Sequence, residues 1–355
     1  NTFIGGLAGD AFTTGSYSVA LGQGALGANT AGNKNVALGQ GNLQALNHTT
    51  GVDAYNTAVG HNAGYAMTTG VNNTLIGGLA GDALTDADSN VAVGYGSLTT
   101  NVLGSKSVAV GQGSLSDQNP ATAADMYNVA VGYNAGAAVT TGSNNTLIGS
   151  LVGDEMTSGT SNTAVGASAM GSGVVTGDDN TAIGNAAGLL LTSGGNNLFL
   201  GHDAGRSTSP GGEHTTGNHS IVLGNNSITV ARIKVDWTVT SDERDKTDFT
   251  ALDLGLDFVK AMKPYTFKWD QRSDYGDSTA DDYNITDQTP DGTHKKDQLD
   301  VGFKAQDIEA LEKTAGYKID DKTNLITSLT DDGKQYGMKY SKFIPILVKA
   351  IQELE

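Results

Sequence analysis

The chain contains no cysteine among its 355 residues, so neither a disulfide framework nor a thiolate metal site is available to it. Basic residues are scarce, 21 against 38 acidic, which leaves a formal charge of −17. Residues 1–240 hold 5 basic and 14 acidic residues, and residues 241–355 hold 16 and 24, so neither part is a good electrostatic partner for nucleic acid, although a local patch needs no net charge. No apolar run approaches the roughly 20 residues that cross a bilayer, and membrane insertion is not expected. Histidines are few and scattered. His48, His61, His202, His214 and His219 form no metal constellation and read as turn or surface residues, so neither a metal nor a cofactor is expected. The size permits more than one domain.

Glycine is what the chain has in quantity: 42 of its 49 glycines fall in residues 1–240. There a Val/Ile/Leu-Gly step recurs thirteen times, closing at Gly5, Gly22, Gly39, Gly60, Gly77, Gly94, Gly111, Gly132, Gly149, Gly166, Gly184, Gly201 and Gly224. Most spacings are 17, with 21 between Gly39 and Gly60 and between Gly111 and Gly132. A period of 72 lies on top: NTFIGGLAGDAF at Asn1 returns as NTLIGGLAGDAL at Asn73 and NTLIGSLVGDEM at Asn145. Nested periods of this kind mark a stacked, quasi-one-dimensional architecture. The chain opens at Asn1 inside a repeat with no apolar leader and stops at Gln352-Glu353-Leu354-Glu355 in mid-pattern, so it reads as a piece of something longer.

Each unit has a local reading. In Asn90-Val91-Ala92-Val93-Gly94 the valines point one way and the alanine the other, as in a short strand. Asn-Asn, Thr-Thr-Gly and Gly-Ser segments supply the turns, and recurrent Gly with β-branched residues argues against helix. Short strands wound into a solenoid result. One strand per rung buries two or three Val, Ile or Leu side chains, a thin core that self-association would thicken. A trimer with its valine faces turned inward is the expected solution. The repeats serve either as scaffold alone or as a display, in which case the extra residues of the 21-residue units, Asn47 to Tyr55 and Asn119 to Tyr127, bulge outward as loops. Asp10, Asp82 and Asp154 recur with the 72-residue period, which fits a turn role better than a single catalytic centre.

After residue 240 the repeat is gone. Ala251 to Met262 carries Leu252, Leu256, Val259 and Met262 at helical spacing, and Tyr265 to Trp269 alternates like a strand. Gln271 to Asp300 is a polar excursion. Val301-Gly302-Phe303 leads into a helix from Lys304 to Lys313, packed through Ala305, Ile308 and Leu311. Tyr317-Lys318-Ile319 and Leu325-Ile326-Thr327 predict a small hairpin, and Tyr336 to Tyr340 another short strand. The last helix starts near Ser341, with Pro345 tolerated close to its start. Its Ile344, Leu347, Ile351 and Leu354 make either a coiled-coil-like seam or one face of an amphipathic helix packed in its own domain. The organisation is thus residues 1–230 as glycine-rich β-repeats, 231–240 as a junction strand or linker, and 241–355 as a small α+β domain.

Ser241 and Lys246 stand five apart at that junction. A serine hydroxyl is a weak nucleophile unless a base takes its proton, and a desolvated lysine can serve. The bland alternative is a solvated Ser-Asp cap opening a charged turn. Ser241-Asp242-Glu243-Arg244-Asp245-Lys246-Thr247-Asp248, with Phe249 in the apolar place, resembles the opening signature of the intramolecular chaperone domain of phage tail fibres and tailspikes, the endosialidase-type or S74 peptidase family. Three further blocks agree: Met262 to Trp269, Val301 to Ile308, and Tyr340 to Glu353. Asp245 departs from the pattern, where an apolar residue is usual.

The resemblance implies a domain that trimerises, helps the preceding β-structured fibre fold, and then cuts itself off at the Thr240–Ser241 bond. Ser241 would be the nucleophile, Lys246 the proton acceptor and later donor, and Asp242 and Arg244 supports of the turn. The activity that the resemblance implies is that of a single-turnover serine autoprotease, with no turnover activity expected from the repeats. The repeats themselves resemble the head repeats of trimeric bacterial autotransporter adhesins, which form trimeric β-rolls, though the 17-residue spacing here is longer. The expected protein is mainly β: a trimeric β-roll or β-solenoid fibre followed by a small chaperone domain with a coiled-coil-like C-terminal helix. It belongs in the virion as a segment of a tail fibre that binds a host cell-surface receptor such as a glycan, the chaperone part being released after maturation. The alternatives are a cellular trimeric adhesin with the same chaperone, and a polysaccharide-degrading tailspike.

Overall fold

The computed structural model describes residues 1–234, 236–277, 283–330 and 332–354; residue 235 of the expected junction and 278–282 of the polar excursion lie outside the described residues. The chain divides into two compact units, Asn1–Pro210 with His214–Asn225, and Gly211–Glu213 with Asn226–Glu355.

The first unit is the β-solenoid that the repeat predicts. Thirteen three-residue strands, from Thr2–Ile4 to Ile221–Leu223, form one sheet in which each pairs with the next repeat's strand. The pairing is parallel and in register, with Val91 opposite Val108, Ala92 opposite Ala109 and Val93 opposite Val110. The central residue of each strand faces inward: Ala20, Ala92, Ala130 and Phe199 are wholly buried. The flanking Val, Ile and Leu residues face outward, and Ile4 and Ile221 are 60% and 71% exposed. Apart from Leu75, Leu147 and Phe199 at strand centres, the large core side chains come from the turns, as with Leu26, Leu43, Leu98, Leu115 and Met170. A small residue in the strand leaves the narrow rung room for a leucine reaching across from its far side.

Backbone geometry explains the glycine that closes each step. Gly94 has φ +133°, and a Cβ there would lie 2.5 Å from the Gly111 carbonyl oxygen of the next rung, so only glycine fits. Leu98, four residues on, is also left-handed at φ 52°. That conformation costs about 1–2 kcal/mol, and complete burial of the leucine offsets it with about 1.5–3 kcal/mol.

The asparagine before each strand is not merely a turn residue. Asn145 is fully buried, and its N–H donates to Asn128 Oδ1 at 3.0 Å. Its own Oδ1 accepts from the Asn162 N–H at 2.9 Å, while its Nδ2 donates to the Gly159 carbonyl at 2.8 Å. The same pattern runs through Asn162, Asn180 and Asn197. This internal amide ladder satisfies backbone groups that a rung too narrow for water would otherwise orphan.

The 21-residue units bulge outward only in part. Residues 49–51 and 121–123 are exposed, yet His48, Ala54, Gln118 and Met126 turn inward and are buried. Gly104–Ser105 adds a short parallel pairing with Ala124–Asp125, and Asn33 bridges to Asp53 in the same way. Each insertion is stapled to the preceding rung by an ion pair, Lys34–Asp53 and Lys106–Asp125, both 2.6 Å.

The second unit is small and α+β. Helix α1 spans Leu256–Ala261, strand Tyr265–Phe267 pairs antiparallel with Asp300–Gly302, and α2 spans Ala305–Thr314. A hairpin of Thr327–Leu329 and Tyr336–Met338 precedes α3, Phe343–Gln352. Leu254, Phe258, Ile308, Ile326, Phe343 and Ile346 form its core. The hairpin differs from the expected pairing of Tyr317–Ile319 with Leu325–Thr327. Glu312 is the reason: its buried carboxylate accepts from the N–H groups of Leu325 at 2.8 Å, Ile326 at 2.7 Å and Thr327 at 3.0 Å, and from the Thr327 hydroxyl. Those donors are no longer free for a strand partner. Helix α1 starts at Leu256 rather than Ala251, where the Glu353 carboxylate accepts from the Leu256 N–H at 2.6 Å.

Candidate functional site

The site begins with a single tight turn. Asp242 caps a one-turn 3-10 helix, Glu243–Asp245, accepting from the Arg244 N–H at 2.9 Å. The Arg244 guanidinium closes on the same carboxylate, with Nε at 3.0 Å from Oδ1 and Nη2 at 2.6 Å from Oδ2. The Arg244 side-chain and backbone donors hold the Asp242 carboxyl below the usual carboxylate range. The Lys246 N–H donates to the Glu243 carbonyl at 3.1 Å, and Lys246 returns to extended backbone.

That reversal folds the Lys246 side chain back over the start of the turn. Its Nζ donates to Ser241 Oγ at 2.5 Å and to the Ser241 carbonyl at 3.1 Å. A hydroxyl and an amine at hydrogen-bond distance is the arrangement a serine nucleophile needs from its base. Thr240, Ser241, Arg244 and Lys246 are exposed and Asp242 is half-buried. Asp245, where the family pattern has an apolar residue, is likewise exposed.

Elsewhere in the unit two carboxylates carry the framework, and the sequence reading missed both. Glu312 ties α2 to the hairpin through four donors, and Glu353 ties the end of α3 to the start of α1. The Leu256 N–H, with Lys349 beside it at 3.2 Å, keeps the Glu353 carboxyl below its ordinary range. A Glu–Lys spacing of four near the C-terminus was visible in the sequence, but nothing local pointed to a partner 97 residues away. The Ile344, Leu347, Ile351 and Leu354 seam of the last helix is exposed, at 64%, 43%, 62% and 67%; the helix packs on its own unit through Phe343, Ile346 and Ala350.

Among the described residues no helix is long and apolar enough to cross a membrane, and no group of three or more His, Cys, Asp or Glu side chains is gathered as a metal site would need. No curated protein and no solved structure matches the chain. Residues 241–317 match the family model described as chaperone of endosialidase, which also carries the peptidase designation S74. From Ser241 onward, over the segment that holds the Ser241–Lys246 contact, the chain is therefore similar to the endosialidase chaperones.

Proposed function

We propose that the chain is a segment of a phage tail fibre whose C-terminal domain aligns three copies, assists the folding of the β-solenoid and then severs itself from it. The observation that carries the reading is the Ser241–Lys246 hydrogen bond, set just past the junction that follows the repeats and at the start of the family match.

Folding gives such a domain its purpose. The thirteen rungs are nearly interchangeable, so a slip of 17 or 72 residues finds similar partners, and non-local parallel pairing is slow. A domain that trimerises first sets the register and raises the effective concentration of the repeats. Two exposed apolar surfaces are consistent with three-fold assembly: the outward Val, Ile and Leu residues of the solenoid sheet, and the seam on α3.

For cleavage, Ser241 Oγ bonds to the Thr240 carbonyl carbon through a five-membered ring while Lys246 Nζ takes the hydroxyl proton. Lys246 returns that proton to the Ser241 nitrogen as the C–N bond breaks, leaving an ester between Thr240 and Ser241 Oγ. Water then hydrolyses the ester to a Thr240 carboxylate and a free Ser241 amine and hydroxyl. A lysine acts as a base at neutral pH where its charge is desolvated. Lys246 is exposed in the single chain, so assembly supplies the cover, and the cut follows trimerisation. Cleavage removes the route back and leaves the fibre kinetically trapped. The fibre would then reside in the virion and present its rungs to a host receptor such as a glycan.

The test is to express the repeats with and without residues 241–355. The full chain should yield a trimer by sedimentation, and the truncated one aggregates or misregistered oligomers. Soluble, correctly trimeric repeats made without that segment would contradict the chaperone role.

A further inference from the structure

Residues 226–240 lie between the last solenoid strand and the Ser241 turn, and from Ile228 on the described residues combine two kinds of unsatisfied surface. Ile228, Val230, Ile233, Trp237 and Val239 are exposed by 57%, 56%, 53%, 76% and 79%. In sequence the stretch from Ile233 to Thr240 reads Ile-Lys-Val-Asp-Trp-Thr-Val-Thr, strictly alternating apolar and polar, as a strand with one buried face does. Yet among the described residues of 228–240 no backbone N–H or carbonyl is paired with another backbone group, and none belongs to a helix or strand. An open row of backbone donors and acceptors beside an unpartnered apolar stripe is a template for strand pairing with another chain.

We infer that the stretch from Ile228 to Thr240 completes its structure on the same segment of the other two copies, with the side chains of Ile233, Trp237 and Val239 turned toward the shared axis. The inference rests on the trimeric reading proposed above and says which segment makes that interface. The occupant follows from position. This stretch is tethered to chain that the trimeric reading brings together in threes, so its own copies are the nearest strands available, at the high effective concentration of a short tether. It ends on Thr240, so its packing also fixes the carbonyl that Ser241 attacks. Cleavage then waits on the zipping of this segment, and the cut reports that the junction has assembled.

The absence of native cysteine makes the test clean. In the full chain, Trp237→Cys and Val239→Cys should each give a covalent dimer between copies under mild oxidation, at least tenfold faster than Asp236→Cys and Thr238→Cys. Trp237 fluorescence, read without cysteine substitution in a Trp269→Phe background, should shift to the blue on assembly, so the inference does not hang on whether Trp237→Cys folds. Equal cross-linking at all four positions, faster cross-linking at 236 and 238, or a solvent-exposed Trp237 in a particle that sediments as a trimer would overturn the inference while leaving the trimer intact. A particle that sediments as a monomer would overturn both.

Discussion

Replacing Asn162 by alanine tests whether the amide ladder holds the rungs together. Asn162 Oδ1 accepts from the Asn180 N–H at 3.0 Å, and Asn162 Nδ2 donates to the Gly177 carbonyl at 3.0 Å. Both asparagines are fully buried. Truncation orphans one buried donor and one carbonyl, and each orphan costs about 1–3 kcal/mol. The expected loss is therefore about 2–6 kcal/mol, toward the lower end if a water enters the space left behind. Asn162→Ser should cost less, because serine already stands at the equivalent ladder positions Ser18 and Ser107. The assay is the urea midpoint, read at one fixed protein concentration because association contributes to the apparent stability. A loss below about 0.5 kcal/mol for the alanine variant, well under the cost of a single orphaned group, would refute the reasoning.

Further expectations follow from single residues. Gly94→Ala should be far more damaging than Gly96→Ala, because the first Cβ meets the Gly111 carbonyl while the second has open space and pays only for its positive φ; comparable midpoints for the two would contradict the packing account. Burial lowers the pKa of His48, so the unfolded chain takes up the proton first. That contribution to stability is whole above the ordinary histidine pKa near 6.5 and is lost as pH falls below it. The loss in midpoint between pH 7 and pH 5 should shrink in His48→Pro, which copies the residue one 72-residue period on, Pro120. Glu312→Ala should cost about 2–6 kcal/mol in the C-terminal unit by leaving at least two of its buried donors unpaired, which thermal unfolding would register. Glu353 has a depressed pKa, so its cap on α1 is present above the ordinary glutamate range and lost as pH falls through its lowered value; Glu353→Gln should remove that part of the acid sensitivity.

The repeat period was enough to read the solenoid, because each rung is short and its valine-glycine step sits at the same place. Which side chains fill the core was harder to see. Val91 and Val93 looked like core residues, yet the buried strand position belongs to Ala92, and the volume comes from Leu98 in a left-handed turn that propensity argues against. Asn145 looked like turn chemistry because a buried asparagine is intelligible only once its neighbours one rung away are known. At the junction, the spacing of Ser241 and Lys246 was legible, while the reach of one to the other depended on the Asp242–Arg244 turn between them. The hairpin was misplaced because the Glu312 carboxylate, a long-range partner, takes up the backbone donors of Leu325 to Thr327.

The central claim is that this turn cuts the chain in cis after assembly. Intact-mass measurement of the purified, folded full chain tests it most directly. The account predicts two fragments divided between Thr240 and Ser241, with Ser241→Ala and Lys246→Ala each leaving a full-length trimer. A wild-type chain that stays whole after prolonged folding, or that is cut elsewhere, would contradict it.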